Sequence, residues 1–312
     1  MTLTQLESAC IKGHRQGTET KFTAGAIIDE TEWAGFGLSV LLEVGQIVRR
    51  TRLLPMEQLV DFKPDGSPVT TLEHEIEALV QERLMDFCSE AAFLGEERSG
   101  DFPANGISVA LDPVDGTWSL INRTETCATS LAGFRDGQPF LGMVLNPVTG
   151  ELAYSTKEIA TRLIQFSVFG EDDVACSLPA DRDRPESVLV NLHPQRNVKA
   201  LVGDLYEEWR KGGLNMVKSP GGSPSWAMLE AAKGSFVYVN LWSKRPTEPY
   251  DLAAGAMLVR GAGGDVTDLA GKSIDVLDHK GPFIVGIEEE ARNKVAAIAR
   301  ETLENPDLID EP

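Results

Sequence analysis

The chain has 312 residues, 42% hydrophobic and 25% charged, a composition that suits a soluble globular protein with room for one broad α/β unit or two lobes. Its formal net charge of −19 excludes nucleic acid and an anionic membrane as partners. It does not exclude a phosphorylated small molecule, because a divalent metal reverses the sign of the local field.

Residues 1–30 read as a loosely structured leader without the apolar core of a secretory signal. From Glu32 to Arg50, apolar residues recur at helical spacing (Trp33, Phe36, Leu41, Val44, Val48), and Arg49-Arg50 suit a helix C-terminus. The segment from Lys63 to Thr70, KPDGSPVT, is turn chemistry. A helix is expected over Thr71–Cys88, then a short strand ending at Gly95, Glu96 and Glu97, and an apolar strand GISVAL that runs into LDPVDGTW. A β-meander follows, ATSLAGF, FLGMVLN and ELAYST, separated by turns.

The polar run Glu171–Ser187 marks a lobe boundary, which divides the chain into residues 31–180 and 181–312. Beyond it the pattern becomes βαβ: SVLVNL, a helix near Gln195–Lys211, NMVKS, a helix at Ser225–Ala232, FVYVNLW, a helix at Asp251–Gly261, FIVGI and a last helix at Glu288–Leu303. Such an order implies a layered α/β or α+β fold. Four scattered cysteines, Cys10, Cys88, Cys127 and Cys176, form no C-x-x-C pair, which points to reduced thiols and a cytoplasmic setting.

Acidic residues stand where elements end: Glu73 at a helix start, Glu96-Glu97 and Asp112 with Asp115 after strands, and Asp251 at a helix start. Singly, each fits helix capping or a solvated turn. Asp112 and Asp115 together are harder to explain that way, since a hydrophobic strand drives two like charges into one place. A divalent cation relieves that repulsion, and an all-oxygen set suits Mg²⁺, Mn²⁺ or Ca²⁺ rather than zinc. His74 beside Glu73 reads as a surface residue. The separation of three also rules out the D-x-D signature of haloacid-dehalogenase phosphatases.

The set SPVTTLE (Ser67–Glu73), GEE (Gly95–Glu97), DPVDGT (Asp112–Thr117) and YDLAAG (Tyr250–Gly255) resembles the inositol monophosphatase family over roughly residues 32–300. That family belongs to a larger group of magnesium-dependent, lithium-sensitive phosphatases. The group includes fructose-1,6-bisphosphatases, 3′(2′),5′-bisphosphate nucleotidases and histidinol-phosphate phosphatases. The resemblance implies an αβαβα sandwich of the sugar-phosphatase type in two lobes, usually paired as a homodimer. It implies that Glu96, Asp112 and the carbonyl of Val114 hold one Mg²⁺, that Asp112, Asp115 and Asp251 hold a second, and that Glu96 and Glu97 flank a weaker third, with Mn²⁺ an acceptable substitute. Backbone N–H groups at Gly116 and Thr117 would receive the phosphate, and Thr117 with Glu73 would position the attacking water. Gly222 and Ser223 align with the substrate-contacting segment.

The chain departs from the family pattern in three places. Glu73 replaces the usual aspartate, and T-x-x-E is equally a plain capping box with Thr70. Trp118-Ser119 follow the DGT step. An apparent insertion, VNLWSKRPTEPY, precedes Asp251; Glu248 is the nearest candidate for the family's substrate-recognising acid, and Lys244 and Arg245 fall on the expected pocket rim. The expected activity is Mg²⁺-dependent hydrolysis of a small phosphorylated polyol, inositol monophosphate by default. The alternatives are bisphosphate nucleotidase or fructose-1,6-bisphosphatase activity by the same chemistry, or a non-catalytic metal-binding relative.

Overall fold

The computed structural model describes residues 5, 7–8, 28–52, 59–64, 66–97, 103, 105–166, 174–179, 187–192, 196–241 and 248–304. Lys244, Arg245 and most of the leader lie outside the described residues. Within the leader, Glu7 is buried; its carboxylate accepts from Tyr154 Oη at 2.8 Å and from Arg162 Nε and Nη2 at 3.0 and 3.1 Å.

Helix α1 (Glu30–Thr51) starts on a reciprocal capping box, with Asp29 Oδ1 accepting from the Glu32 N–H and Glu32 Oε2 from the Asp29 N–H. The stretch expected to be a loop forms a small hairpin, β1 (Val60–Phe62) and β2 (Pro68–Thr70). Strands of three residues, with Phe62 exposed, carry too little alternation to show in sequence. Helix α2 (Thr71–Phe87) follows directly. Trp33, Phe36 and Phe87 form an aromatic cluster between α1 and α2, and Trp33 also meets Phe140 edge-on at 5.6 Å.

The next block is a seven-stranded sheet in sequence order: β3 (Ala92–Gly95), β4 (Ile107–Asp115), β5 (Ala128–Arg135), β6 (Gln138–Asn146), β7 (Glu151–Thr156), β8 (Arg162–Gln165) and β9 (Val174–Ser177). Only β3 and β4 are parallel. A short helix, α3 (Thr117–Ile121), leaves β4 through Gly116. Strand β9 lies inside the polar run expected to separate the lobes. It is an edge strand whose Ala175, Cys176 and Ser177 are exposed, so it lacks the buried stripe that marks inner strands.

The rest of the chain builds β10 (Ser187–Val190), α4 (Arg196–Arg210), β11 (Met216–Lys218), α5 (Pro224–Ala232), β12 (Val237–Asn240), α6 (Pro249–Gly261), β13 (Asp265–Thr267), β14 (Phe283–Gly286) and α7 (Glu289–Glu304). Its sheet has the order β11-β10-β12-β14-β13, parallel across the first three strands and antiparallel thereafter.

Three apolar clusters stack these parts into layers. Helices α1 and α2 cover one face of the large sheet through Val109, Leu111, Leu131, Met143 and Leu145. Helices α5 and α6 fill the space between the two sheets, and α4 and α7 close the far side of the smaller one. The chain is therefore an α-β-α-β-α sandwich. The alternation along β4 to β6 encodes the asymmetry: Val109, Leu111, Leu131, Leu141, Met143 and Leu145 face α1 and α2, whereas Ala110, Ala128, Ala132 and Gly142, with Phe134 and Val144, face the inner layer where α6 lies close to the strands. Gly142 is required there, because a Cβ at this position would stand 2.6 Å from the Ala254 carbonyl oxygen.

Candidate active site

Strand β4 delivers Asp112 and Asp115 at its C-terminal end, both buried. The ladder to β5 loses its regular register between these two residues, where Pro113 and Val114 intervene. Asp112 Oδ1 accepts from the Val114 N–H at 2.9 Å, and Thr129 Oγ1 donates to the Pro113 carbonyl at 2.8 Å, so the irregular backbone is held on both sides. The parallel neighbour β3 ends at Gly95 and presents Glu96 and Glu97, and the Glu96 N–H donates to the Leu111 carbonyl. Asp251 joins from the first turn of α6. Its backbone is fastened by Ser130 Oγ, which donates to the Tyr250 carbonyl at 2.5 Å, and by Ser225 Oγ, which donates to the Asp251 carbonyl at 3.3 Å.

Burial and mutual repulsion govern the charge state of this group. Burial raises the pKa of Asp112, and the negative charges of Glu96, Asp115 and Asp251 raise it further. Asp251 is raised by burial, Asp115 and Glu96. Asp115 rises less, to about 7: burial lifts it, while the Ser225 N–H at 2.5 Å and the hydroxyls of Ser225 and Ser223 pull it back. Those donors belong to the start of α5, so that helix aims its N-terminus at Asp115.

Beside the acids stands the Thr117–Glu73 pair. Thr117 Oγ1 donates to Glu73 Oε1 at 2.8 Å. Glu73 Oε2 accepts from Thr70 Oγ1 at 2.7 Å and from the Thr70 N–H. The cap and the contact with Thr117 coexist, and the extra methylene of glutamate lets one carboxylate reach both. Burial pushes Glu73 up to about 7, against the opposing effect of those three hydrogen bonds. Gly116 turns the chain into α3 with φ +88°, and a Cβ there would press on Ser223 and on the Thr126 carbonyl.

The structure places the remaining expected residues as follows. Ser223 is fully buried, and its Oγ accepts from the Trp226 N–H at 3.2 Å as the N-cap of α5. Gly222 is exposed, with φ +89° and open space around it. Glu248 is the N-cap of α6, and its N–H donates to Asp251 Oδ2 at 3.3 Å. His74 is exposed.

Three neighbours of the site had no place in the sequence reading. Lys63 Nζ lies 2.8 Å from Glu96 Oε1 and 2.6 Å from Glu97 Oε1. Burial opposes its charge, but hydrogen bonds and the charges of the two glutamates outweigh it and raise its pKa. Glu77, fully buried one helical turn after Glu73, accepts from the Glu97 N–H at 2.8 Å through Oε1. It explains the glycine of GEE, because a Cβ at Gly95 would lie 2.5 Å from Glu77 Cδ. Glu77 was legible as the i+4 companion of Glu73 on the inner face of α2. Tyr238 is buried on β12; burial and the nearby Asp115 and Asp251 raise its pKa, against a smaller opposing effect of Asn191.

The donor chemistry fits divalent cations that prefer oxygen. Buried carboxyls that raise one another's pKa need either protons or a concentrated positive charge, and every donor here is a hard oxygen. Among the described residues no three His, Cys, Asp or Glu side chains are already drawn together as an ion cage. Lys63 sits between Glu96 and Glu97 and supplies one positive charge to that side. No helix among the described residues is long and apolar enough to cross a membrane.

Residues 29–304 match the profile of the inositol monophosphatase family. The chain is 25% identical over 233 residues to a histidinol-phosphatase of Mycobacterium tuberculosis, covering 71% of this chain and 82% of that protein. It is 27% identical over 214 residues to an inositol-1-monophosphatase of Synechocystis, covering 68% and 70%. A solved structure of a Thermotoga maritima IMPase superimposes with a TM-score of 0.69 at 20% identity, over 88% of this chain and 98% of that one.

Proposed function

The chain belongs to the inositol monophosphatase family and is a phosphoric monoester hydrolase, and from that premise we propose that it releases phosphate from a small phosphorylated alcohol by direct attack of water. Inositol monophosphate is the reference substrate. The observation that carries the mechanism is the junction of two groups: the buried acids Asp112 and Asp115 with the half-buried Asp251, and the Thr117–Glu73 hydrogen bond beside them.

Glu96, Asp112, the Val114 carbonyl, Asp115 and Asp251, with Glu97 at a weaker position, are the residues to hold two or three Mg²⁺. When bound, Mg²⁺ would lower the pKa of water and offset the charge of the phosphoryl oxygens. The protein's own groups do the rest. Thr117 Oγ1 spends its proton on Glu73 Oε1, so its lone pairs are left to accept an O–H of the attacking water and fix the direction of its oxygen. Glu73, held near the operating pH by burial, is suited to take the water's proton through that hydroxyl. The N–H groups of Gly116 and Thr117 donate to phosphate oxygens from the open first turn of α3. The oxygen–phosphorus bond to the alcohol breaks as the new one forms, the departing alkoxide takes a proton from solvent water, and no covalent enzyme intermediate is needed.

Ser223 acts through Asp115, while the exposed backbone of Gly222 is left open to the substrate. Two lobes that meet over the α5–α6 layer, a homodimer and a cytoplasmic setting complete the proposal. Purified protein with Mg²⁺ is expected to release phosphate from inositol 1-phosphate or related monoesters, and to do so less in added Li⁺. Asp112→Asn is expected to abolish turnover and to weaken Mg²⁺ binding by calorimetry. Unchanged Mg²⁺ affinity in that variant overturns the ligand assignment.

A further inference from the structure

Two large aromatic side chains are exposed beside the site. Trp118 is 52% exposed and Phe62 is 59% exposed, and their ring centroids are 6.5 Å apart at an interplanar angle of 52°. Neither belongs to an apolar cluster of the core. Single exposed aromatics need no explanation, but this pair has a particular address. Trp118 follows Thr117, whose hydroxyl pairs with Glu73. Phe62 precedes Lys63, whose ammonium lies between Glu96 and Glu97. Each ring is thus one residue along the chain from a polar group of the site, on two separate elements, and the two rings lie side by side, open to solvent.

We propose that Trp118 and Phe62 form a stacking platform for the leaving group, and that the preferred substrate is a phosphomonoester whose alcohol carries a flat aromatic ring. The proposal rests on the phosphatase reading above and deepens it. Asp112 and Asp115 are buried while Trp118 and Phe62 are exposed, so a phosphate held at the acids leaves its alcohol half directed to solvent, to which both rings are open. A polyol offers hydroxyls that hydrogen-bond as well to water as to protein, and two apolar rings recognise none of them. A purine or imidazole ring presents a π-face to each. The tilt of 52° leaves the rings unstacked on each other and open to a third ring at the edge of either. The surplus of carboxylates around the site also suits an imidazolium, whose positive charge adds a cation–π attraction to indole.

The test compares kcat/KM, with Mg²⁺, for two ring-bearing monoesters, adenosine 3′,5′-bisphosphate and histidinol phosphate, against two ring-free ones, inositol 1-phosphate and glycerol 2-phosphate. The wild-type protein is expected to favour at least one ring-bearing substrate, and which one it favours separates purine from imidazole. Trp118→Ala is expected to lower the ratio of ring-bearing to ring-free kcat/KM by roughly 5- to 100-fold, chiefly through KM, as the loss of one stacked ring does. Trp118→Phe keeps most of the ratio, and Phe62→Ala lowers it less.

A ratio that stays put in Trp118→Ala, with the thermal midpoint unchanged, overturns the platform. A second readout needs no turnover: adenosine or histidinol should quench wild-type tryptophan fluorescence, and Trp118→Phe should lose that component. Absence of the quench with both ligands also overturns the proposal. Failure of every monoester to release phosphate instead overturns the phosphatase reading, and the fluorescence titration still decides the platform.

Discussion

At Glu73 one carboxylate oxygen accepts from Thr70 and the other accepts from Thr117 Oγ1 at 2.8 Å. The amide of Glu73→Gln can still accept at Thr70, but it presents a weaker acceptor, or a donor, to Thr117, and it cannot take a proton. Its kcat is expected to fall by about 10²- to 10⁴-fold with only a small change in thermal midpoint. Activity within a few-fold of wild type would remove Glu73 from the mechanism. The acids with motif-level spacing were readable because two carboxylates at the end of one buried strand have few other uses. Lys63, Glu77 and Tyr238 were not readable in the same way. Their connection to the site runs through folded contacts between elements that are distant in sequence, and a lysine in a turn or a glutamate on a helix has an ordinary surface explanation.

The elements divide by how strongly their residues must repeat a pattern. Long helices and inner strands have a buried face to satisfy, and so α1, α2 and β4 to β7 follow hydrophobic spacing closely. The hairpin β1–β2 and the edge strand β9 have little to bury, and their sequences read as turn or boundary. A different rule shaped α6, where small residues let the helix lie against the large sheet. Gly142→Ala sets a methyl group against the Ala254 carbonyl, which belongs to backbone and cannot swing aside. The expected loss is about 1–3 kcal/mol of unfolding free energy in denaturant titrations. Because α6 also carries Asp251, Mg²⁺ affinity should weaken in parallel; a variant that loses stability with unchanged Mg²⁺ binding would separate the two effects.

For the whole molecule, the buried acids couple folding to proton and metal concentration. Glu73 and Asp115 stand at about 7 in the fold, and Asp112 and Asp251 are raised as well, against ordinary values near 4. A carboxyl with a raised folded pKa binds its proton more tightly when folded. Its contribution is present in full below the unfolded pKa and is lost as pH rises through the folded one. For Glu73 alone the shift from 4.5 to about 7 corresponds to about 3 kcal/mol. In chelator, the calorimetric midpoint is therefore expected to fall between pH 4.5 and 7.5. Added Mg²⁺, which competes with those protons, should flatten or reverse the slope. A pH profile that is identical with and without Mg²⁺ would contradict a metal role for these acids.

The contrast between the buried acids and the exposed rings has an evolutionary consequence. Asp112, Asp115 and Ser223 are buried together at the centre of the proposed reaction, so drift at those positions is punished by loss of activity. Trp118 and Phe62 bear no such load, and a lineage can exchange them at little thermodynamic risk. A scaffold divided in this way keeps one reaction while its diet changes, and descendants of a single ancestor can settle on different phosphate esters by altering a few residues at the doorway.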